Sequence, residues 1–346
     1  MKKKTKQLLA LLTAILLVAS LVACSGAKAT TEPGTATVSA DKSNESYVYV
    51  TFEKGSEYFS WVYAGFLAAA NELGVKAELQ GPADADASQE ARALETVTGK
   101  HPQGILVACA DEDTLVSSIN TALEEGIPVI TCDSDCPNSE RLCFLGTDNA
   151  SFGATAAEFI GEQLGGSGEV IVVTLFGSAA QEERCAGFEN YLAANYPGIK
   201  IMDICNENAD TAIAESNTTA ALQANPGVTA VFSTGGTGSA AAAAAVRTVG
   251  RNDITVVGSD FGTATLECME KGEIAATVVD DPYMMGYQSL LQLYAAAHPT
   301  DVISSTPPYG HITTSNILFN CSLLKAEDYI GNELLREKYT NTPTFN

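Results

Sequence analysis

Short apolar runs alternate with longer amphipathic segments along most of this 346-residue chain. The run at 47–52 is rich in residues that favour strands. The segment after it places Phe59, Val62 and Phe66 three or four residues apart, which is the spacing of a helix that buries one face. The alternation continues to residue 297 and predicts strands at 47–52, 75–80, 104–109, 127–132, 142–146, 170–176, 199–204, 229–233, 254–258 and 274–279. Later helices are predicted at 84–98, 112–125, 150–164, 178–195, 211–224, 239–249, 263–271 and 283–297.

Strand–helix alternation at this spacing predicts an α/β fold, with parallel sheets that carry helices on both faces. About ten strands exceed the usual width of one sheet, so the pattern favours two sheets. The break is expected at 146–149, where a short strand leads directly into a new helix. The tail contains a strand-like stretch at 312–319 and a final amphipathic helix near 325–337.

The N-terminus has the three parts of an export signal: lysines from Lys2 to Lys6, an apolar run at 8–21, and the ending Leu21-Val22-Ala23-Cys24. The apolar run is too short for a stable membrane span and suits a secretory leader. The ending resembles a bacterial lipobox. That resemblance implies a lipoprotein signal peptide at 1–23 and a lipidated Cys24, with acyl chains such as palmitate on the extracytoplasmic face of the bacterial cell membrane. An ordinary signal peptide that contains a cysteine is the alternative.

The segment at 24–46 is small, polar and without periodicity, which predicts a flexible tether between the anchor and the folded body. No later segment reaches 18 consecutive apolar residues, the length that indicates a transmembrane helix. The formal charge is −23. Such a surface repels phosphate backbones and argues against nucleic acid as a partner.

The inventory of reactive side chains argues against an enzyme. The chain has three histidines, and none follows a predicted strand, so a Ser-His-Asp triad has no obvious base. Zinc and Walker-type nucleotide motifs are absent from the sequence, and neither a metal nor a cofactor is expected. One short pattern, Gly236-Thr237-Gly238 after a predicted strand, imitates a dinucleotide fingerprint. An exported NAD-dependent oxidoreductase is therefore the enzyme alternative, but a tight strand-to-helix turn facing a cleft is favoured.

Nine cysteines are present, and eight remain if Cys24 carries lipid. The spacing of the eight cannot assign bridges. A bridge between Cys136 and Cys143 would close a small loop, whereas buried free thiols that pack as small apolar groups are the alternative.

Ligands of open α/β sheets bind beyond the carboxyl ends of the strands. The residues at those positions are rich in carboxylates, amides and aromatic rings, with one arginine on the following helix. They are Ser56, Glu57, Tyr58, Phe59, Cys109, Asp111, Asp133, Ser134, Asp135, Arg184, Asn206, Asn208, Asp210, Thr234–Thr237, Ser259, Asp260, Phe261, Asp280 and Asp281. Each acid could instead cap a helix or lie in solvent, and Asp111 and Asp210 fit the role of a cap well.

Several segments of 47–298 resemble the type I periplasmic sugar-binding proteins, the ribose- and galactose-binding kind. The matching segments are Tyr58-Phe59 with Gly65, Gly126-Ile127-Pro128-Val129-Ile130-Thr131-Cys132-Asp133, Arg184-Cys185-Ala186-Gly187-Phe188, Val257-Gly258-Ser259-Asp260 and Ile274-Ala275-Ala276-Thr277-Val278. The resemblance implies two doubly wound lobes joined by a hinge of three crossing strands. Lobe I would comprise 47–147 and 281–308, and lobe II would comprise 148–280 and 309–346.

The resemblance also assigns ligand-binding roles. Tyr58 and Phe59 would pack on the apolar face of a sugar ring. Asp133 and Asp260 would accept hydrogen bonds from its hydroxyls. Arg184 would donate a fork of hydrogen bonds, and Asp280 would be a polar hinge residue. The chain departs from the usual family residues at Ala108, Ser134, Ala209, Gly235 and Ser259. These departures remove donors and bulk, and they favour a polyol larger than ribose or of another shape.

The resulting prediction is a lipid-anchored, monomeric solute-binding protein that delivers a sugar or sugar-like polyol to an ABC permease and its ATPase subunits. A lipoprotein sensor that presents bound sugar to a membrane kinase or receptor is the alternative. Both predictions share the binding site and differ in the partner.

Overall fold

A computed structural model of the chain describes residues 42–111, 113–299 and 316–344. The strands are β1 Ser46–Thr51, β2 Lys76–Gln80, β3 Gly104–Ala108, β4 Val129–Cys132, β5 Phe144–Thr147, β6 Ser167–Thr174, β7 Gly198–Asn206, β8 Ala230–Ser233, β9 Thr255–Ser259, β10 Ala276–Val279, β11 Ile317–Phe319 and β12 Ser322–Lys325. The helices are α1 Glu57–Leu73, α2 Ala87–Thr98, α3 Val116–Glu124, α4 Asn149–Gln163, α5 Ala179–Asn195, α6 Thr211–Ala224, α7 Gly236–Thr248, α8 Thr263–Glu270, α9 Pro282–Ala297, α10 Ala326–Gly331 and α11 Glu333–Thr340.

The strands form two six-stranded sheets, with the orders β11-β5-β4-β3-β1-β2 and β12-β10-β9-β8-β6-β7. All pairings are parallel except that of β10 with β12. Apolar side chains of both faces of each sheet pack against helices, which gives each lobe two layers of core. The predicted fold class, two α/β lobes built on parallel sheets, is confirmed.

The chain crosses between the sheets after β5, after β10 and after β11. The crossings lie side by side, since the Asp148 amide donates a hydrogen bond of 3.1 Å to the Phe319 carbonyl. The sequence analysis assigned 309–346 wholly to lobe II. The structure differs from that assignment at one strand, β11. β11 pairs with β5 in the sheet of lobe I, because the chain runs along that edge before it crosses to form β12.

Two further expectations are corrected at the ends of the folded unit. Lys42, placed in the predicted tether 24–46, is buried, and its ammonium donates to the Tyr294 hydroxyl and lies over that ring. The helix expected near 325–337 is two helices, because Asn332 adopts an extended conformation and caps α11. The signal peptide and Cys24 lie outside the described residues.

The helix pairs of both lobes touch through glycine. A β-carbon at Gly65 of α1 would lie 1.8 Å from the Tyr283 carbonyl oxygen of α9. A β-carbon at Gly153 of α4 would lie 1.9 Å from the Arg184 carbonyl oxygen of α5. These backbones are therefore in direct contact, and no larger residue fits at either position without moving a helix.

The eight described cysteines are not joined by disulfides and seven of them are buried, so the Cys136–Cys143 bridge is not formed and the alternative of buried thiols that pack as small groups describes the structure. Within the described part of the chain, every helix is too short or too polar to cross a bilayer.

Candidate functional site

A cavity of about 510 Å³ lies where the carboxyl ends of the two sheets face each other. Lobe I contributes the β1–α1 loop, the start of α1 and the residues after β4, whereas lobe II contributes the residues after β6, β7, β8 and β9. This volume lies within the usual range of small-molecule sites. The cavity lies beyond the carboxyl ends of the strands, which is where ligands of open α/β sheets bind.

Asp133 and Asp260 occupy equivalent positions in the two lobes. Each follows a parallel strand, β4 or β9, and each adopts a left-handed backbone conformation, with φ of 60° and 63°. Such a conformation is uncommon for a residue with a side chain and is typical of functional sites. The Ser134 hydroxyl donates to Asp133 Oδ2 at 2.9 Å, while Asp260 Oδ1 is buried and has no hydrogen-bond partner among the described residues.

Burial dominates the electrostatics of these two carboxyls. It raises the pKa of Asp133 to about 6, with a further contribution from the negative charge of Asp280. It raises the pKa of Asp260 to about 7, although the nearby Arg184 guanidinium opposes the shift. Burial therefore disfavours the charged form of both carboxyls, and in that form both can accept hydrogen bonds from a ligand.

Arg184 lies on α5 and its side chain is held by protein atoms. Its Nε donates to Asn149 Oδ1 at 2.9 Å, its Nη1 donates to the Thr234 carbonyl at 3.0 Å, and its guanidinium lies 4.0 Å from the centre of the Phe152 ring. The side chain is buried, yet it lines the cavity. The arrangement fixes the guanidinium and leaves Nη2 facing Asp280 at 3.9 Å.

Asp280 lies behind the cavity wall rather than on it. Its Oδ2 accepts hydrogen bonds from the Thr147 hydroxyl at 2.7 Å and the Tyr58 hydroxyl at 3.0 Å. The carboxylate thus contacts residues of β5, α1 and α5 at the point where the chain leaves β10. Asp280 is not among the described residues that line the cavity. Asp280 therefore fixes the Tyr58 hydroxyl and lies 3.9 Å from the Arg184 guanidinium.

The aromatic residues divide between the cavity and the core. Tyr58 lines the cavity with its hydroxyl fixed on Asp280. Phe59 also reaches the cavity wall, but it is 4% exposed and packs edge-on against Phe52 at 5.0 Å. Tyr58 and Phe52 are partly exposed and line the cavity, whereas Phe59 is buried.

The rim of the cavity is bridged by protein contacts between the lobes. Both carboxylate oxygens of Glu57, at the start of α1, accept hydrogen bonds from Thr263 at the start of α8: the amide at 3.0 Å and the hydroxyl at 2.8 Å. Beside them, Trp61 packs edge-on against Phe261 at 5.9 Å, and Phe261 in turn contacts Tyr339 of α11 at 5.0 Å.

Other strand-end residues serve the fold. Asp210 caps α6 through the Ile213 amide at 2.9 Å, and Asp111 closes a turn by accepting from the Thr114 amide at 2.7 Å. Asn206 accepts from the Phe176 and Asn208 amides. The cap interpretation is confirmed for Asp210, whereas Asp111 lies in the loop before α3, whose N-cap is Leu115.

Sequence reasoning missed Gln181 and Glu207, which both line the cavity in lobe II. Glu207 directly follows β7 and lies between Asn206 and Asn208, so the sequence around it has the composition of a solvated loop. The turn at Gly235–Gly238 opens α7 and faces the cavity as expected. No group of three or more metal-ligating side chains occurs within 42–111, 113–299 and 316–344.

Residues 47–298 match the family described as a periplasmic binding protein domain. The chain is 27% identical over 255 residues to the ribose import binding protein of Escherichia coli K12, covering 72% of this chain and 84% of that protein. It is 28% identical over 246 residues to the D-allose-binding periplasmic protein of the same organism, covering 68% of this chain and 78% of that protein. Among solved structures, AraP, an arabinose binding protein from Geobacillus stearothermophilus, superposes with a TM-score of 0.76 at 30% identity, covering 82% of this chain and 98% of that one.

Proposed function

Because the chain belongs to the periplasmic binding protein family, we propose that it captures a sugar or sugar-like polyol outside the cytoplasm and delivers it to an ABC permease and its ATPase subunits. The relatives named for ribose, allose and arabinose support a sugar as the ligand. The bound molecule is released unchanged, so the protein acts as a carrier and not as an enzyme.

The observation that carries this proposal is the pair Asp133 and Asp260. One comes from each lobe, both line one cavity, and no described residue donates a hydrogen bond to Asp260 Oδ1. Sugar hydroxyls are donors of the kind that ionised acceptors bind strongly. Tyr58 and Phe52 supply ring surface for the apolar C–H face of the sugar, and the fixed guanidinium of Arg184 offers its remaining N–H groups. We assign these residues, with Phe59, to ligand contact and Asp280 to their support.

A thermal-shift screen of pentoses, hexoses, polyols, nucleosides and amino acids tests the proposal. A sugar at 100 times its Kd should add about 2.7 kcal/mol of stability, which is roughly 4 °C in Tm for a chain of this size. Amino acids and nucleosides at the same concentrations serve as controls. A shift with one of these classes and with no sugar or polyol would contradict the proposal.

We also propose that Cys24 becomes the lipidated N-terminus after removal of 1–23, which keeps the protein at the extracytoplasmic face of the membrane. Wild-type protein from growing cells should incorporate labelled palmitate and partition into detergent, since two or more acyl chains anchor stably. A Cys24→Ala variant should do neither. Equal label in both forms would refute the anchor and leave the binding site untouched.

A further inference from the structure

The loop at 133–143 joins β4 to β5 and supplies two residues of the cavity wall in lobe I. These are Asp133 and Ser134, the first two residues of the loop. Asp133 has a left-handed backbone, with φ of 60°. An aspartate tolerates this conformation better than most residues do, but the conformation still costs free energy relative to negative φ. Contacts around Asp133 therefore have to hold it there.

Asp135 is the third residue of the loop, and it is not among the described residues that line the cavity. Its carboxylate accepts four hydrogen bonds. Oδ1 accepts from the Thr131 hydroxyl at 2.6 Å, the Cys136 amide at 2.7 Å and Arg141 Nε at 2.6 Å. Oδ2 accepts from Arg141 Nη2 at 2.5 Å. One side chain thus gathers donors from β4, from the loop and from the residues before β5.

These bonds anchor the loop on both sides of the cavity residues. Thr131 is a fully buried residue of β4 that precedes Asp133 by two positions. Arg141 lies three positions before β5. The Asp133 amide donates to the Leu145 carbonyl of β5 at 3.0 Å, so Asp133 itself is fixed at its amide. The anchor at Asp135 fixes the chain beyond it, which leaves the Asp133 backbone little freedom to relax.

The ion pair of Asp135 and Arg141 is partly shielded from water, with side chains that are 21% and 13% exposed. Two parallel bonds from a guanidinium to a carboxylate fix direction as well as distance, and a lysine cannot reproduce them. Lobe II holds its equivalent residue in another way, since the Thr277 hydroxyl donates to the Asp260 carbonyl at 2.7 Å. The two lobes therefore support the same backbone conformation with different side chains.

We infer that Asp135 and Arg141 are positioning residues of the binding site, which hold Asp133 in the conformation that presents its carboxylate to the ligand. The inference rests on the proposed function. Without the ion pair, Asp133 can relax to negative φ, and its carboxylate then leaves its place in the cavity wall. Ligand binding has to restore the left-handed conformation, so affinity falls by the fraction of chains that remain competent, although neither positioning residue contacts the ligand.

Isothermal titration with the sugar that binds best tests this inference. Asp135→Ala and Arg141→Ala should each weaken binding about 10-fold, the range that the cost of a left-handed residue implies. Arg141→Lys keeps the charge without the fork, should show a smaller loss, and serves if an alanine variant does not fold. Asp253→Ala is the matched control and should leave affinity unchanged, because Asp253 accepts the same fork from Arg251, at 2.6 and 2.5 Å, outside the cavity lining.

A double-mutant cycle with Asp133→Gly separates positioning from general support of the lobe. Glycine adopts positive φ readily and has no carboxylate to position. In the Asp133→Gly background, Asp135→Ala should therefore weaken binding less than about 2-fold. An equal loss in both backgrounds overturns the inference, and so does wild-type affinity in the single variants of Asp135 and Arg141. Both outcomes leave the proposed function standing, whereas absence of binding by the wild-type chain to every sugar removes the proposed function and the inference with it.

Discussion

An Asp260→Asn variant should bind sugar about 10- to 100-fold more weakly than the wild-type chain, and should be more stable than it without ligand. Affinity falls because a neutral amide replaces an ionised acceptor that faces the cavity. Stability rises because burial holds the Asp260 pKa at about 7, well above the usual 3.8 of an aspartate. An acid with a raised folded-state pKa loses stability as pH increases from its unfolded to its folded pKa, here from about 4 to about 7. The asparagine has no such cost.

The measurement is titration calorimetry with the best sugar, together with the Tm of the free protein, at pH 6, 7 and 8. Wild-type affinity should rise with pH as Asp260 ionises, and the variant should lack this part of the pH dependence. Asp210→Asn is the control, since Asp210 caps α6 away from the cavity and asparagine caps as well. Unchanged affinity, or a variant less stable than wild type at pH 8, would contradict the assignment of Asp260.

A Gly153→Ala variant should lose about 3 kcal/mol or more of unfolding free energy, because the added methyl group meets backbone atoms that cannot turn away. The nearest are the Arg184 carbonyl oxygen at 1.9 Å and the Phe188 amide nitrogen at 2.6 Å. Relief requires α5 to move, and α5 carries Arg184. Sugar affinity should therefore fall together with stability, although residue 153 does not line the cavity.

Denaturant unfolding and sugar titration on the same preparations measure both effects. Gly99→Ala is the control: its backbone is right-handed, and the nearest atom to an added β-carbon is 3.7 Å away, so stability and affinity should stay near wild type. A Gly153→Ala chain of wild-type stability would show that the α4–α5 contact is looser than the structure has it.

The sequence predicted most of the fold because the pattern of apolar positions reports which faces are buried. The sequence-based prediction failed where a short strand or helix depends on contacts with residues far away in the chain. β12 is four residues long and exists by antiparallel pairing with β10, and the break at Asn332 is a local cap inside a helical pattern. The position of β11 in lobe I depends on β5, some 170 residues earlier.

The same distinction holds for the site. Asp133 and Asp260 could be predicted because each directly follows a strand, and parallel strands end at one edge of a sheet. The place of Asp280 behind the wall could not be predicted, since it depends on Thr147, Tyr58 and Arg184, which come from three other elements. Glu207 was missed because its neighbours have the composition of a solvated loop, and only burial distinguishes it from them.

The hydrogen bonds from Thr263 to Glu57 join the lobes through protein atoms alone. Part of the free energy that holds the lobes together therefore comes from the protein itself. The apparent Kd of a ligand then depends on the equilibrium between open and closed lobes as well as on the contacts of the ligand. Departure of the ligand requires these bonds to break first. Under the proposed function, the dwell time of a captured sugar, and with it the interval available for delivery to the permease, would be set partly by these two side chains at the rim.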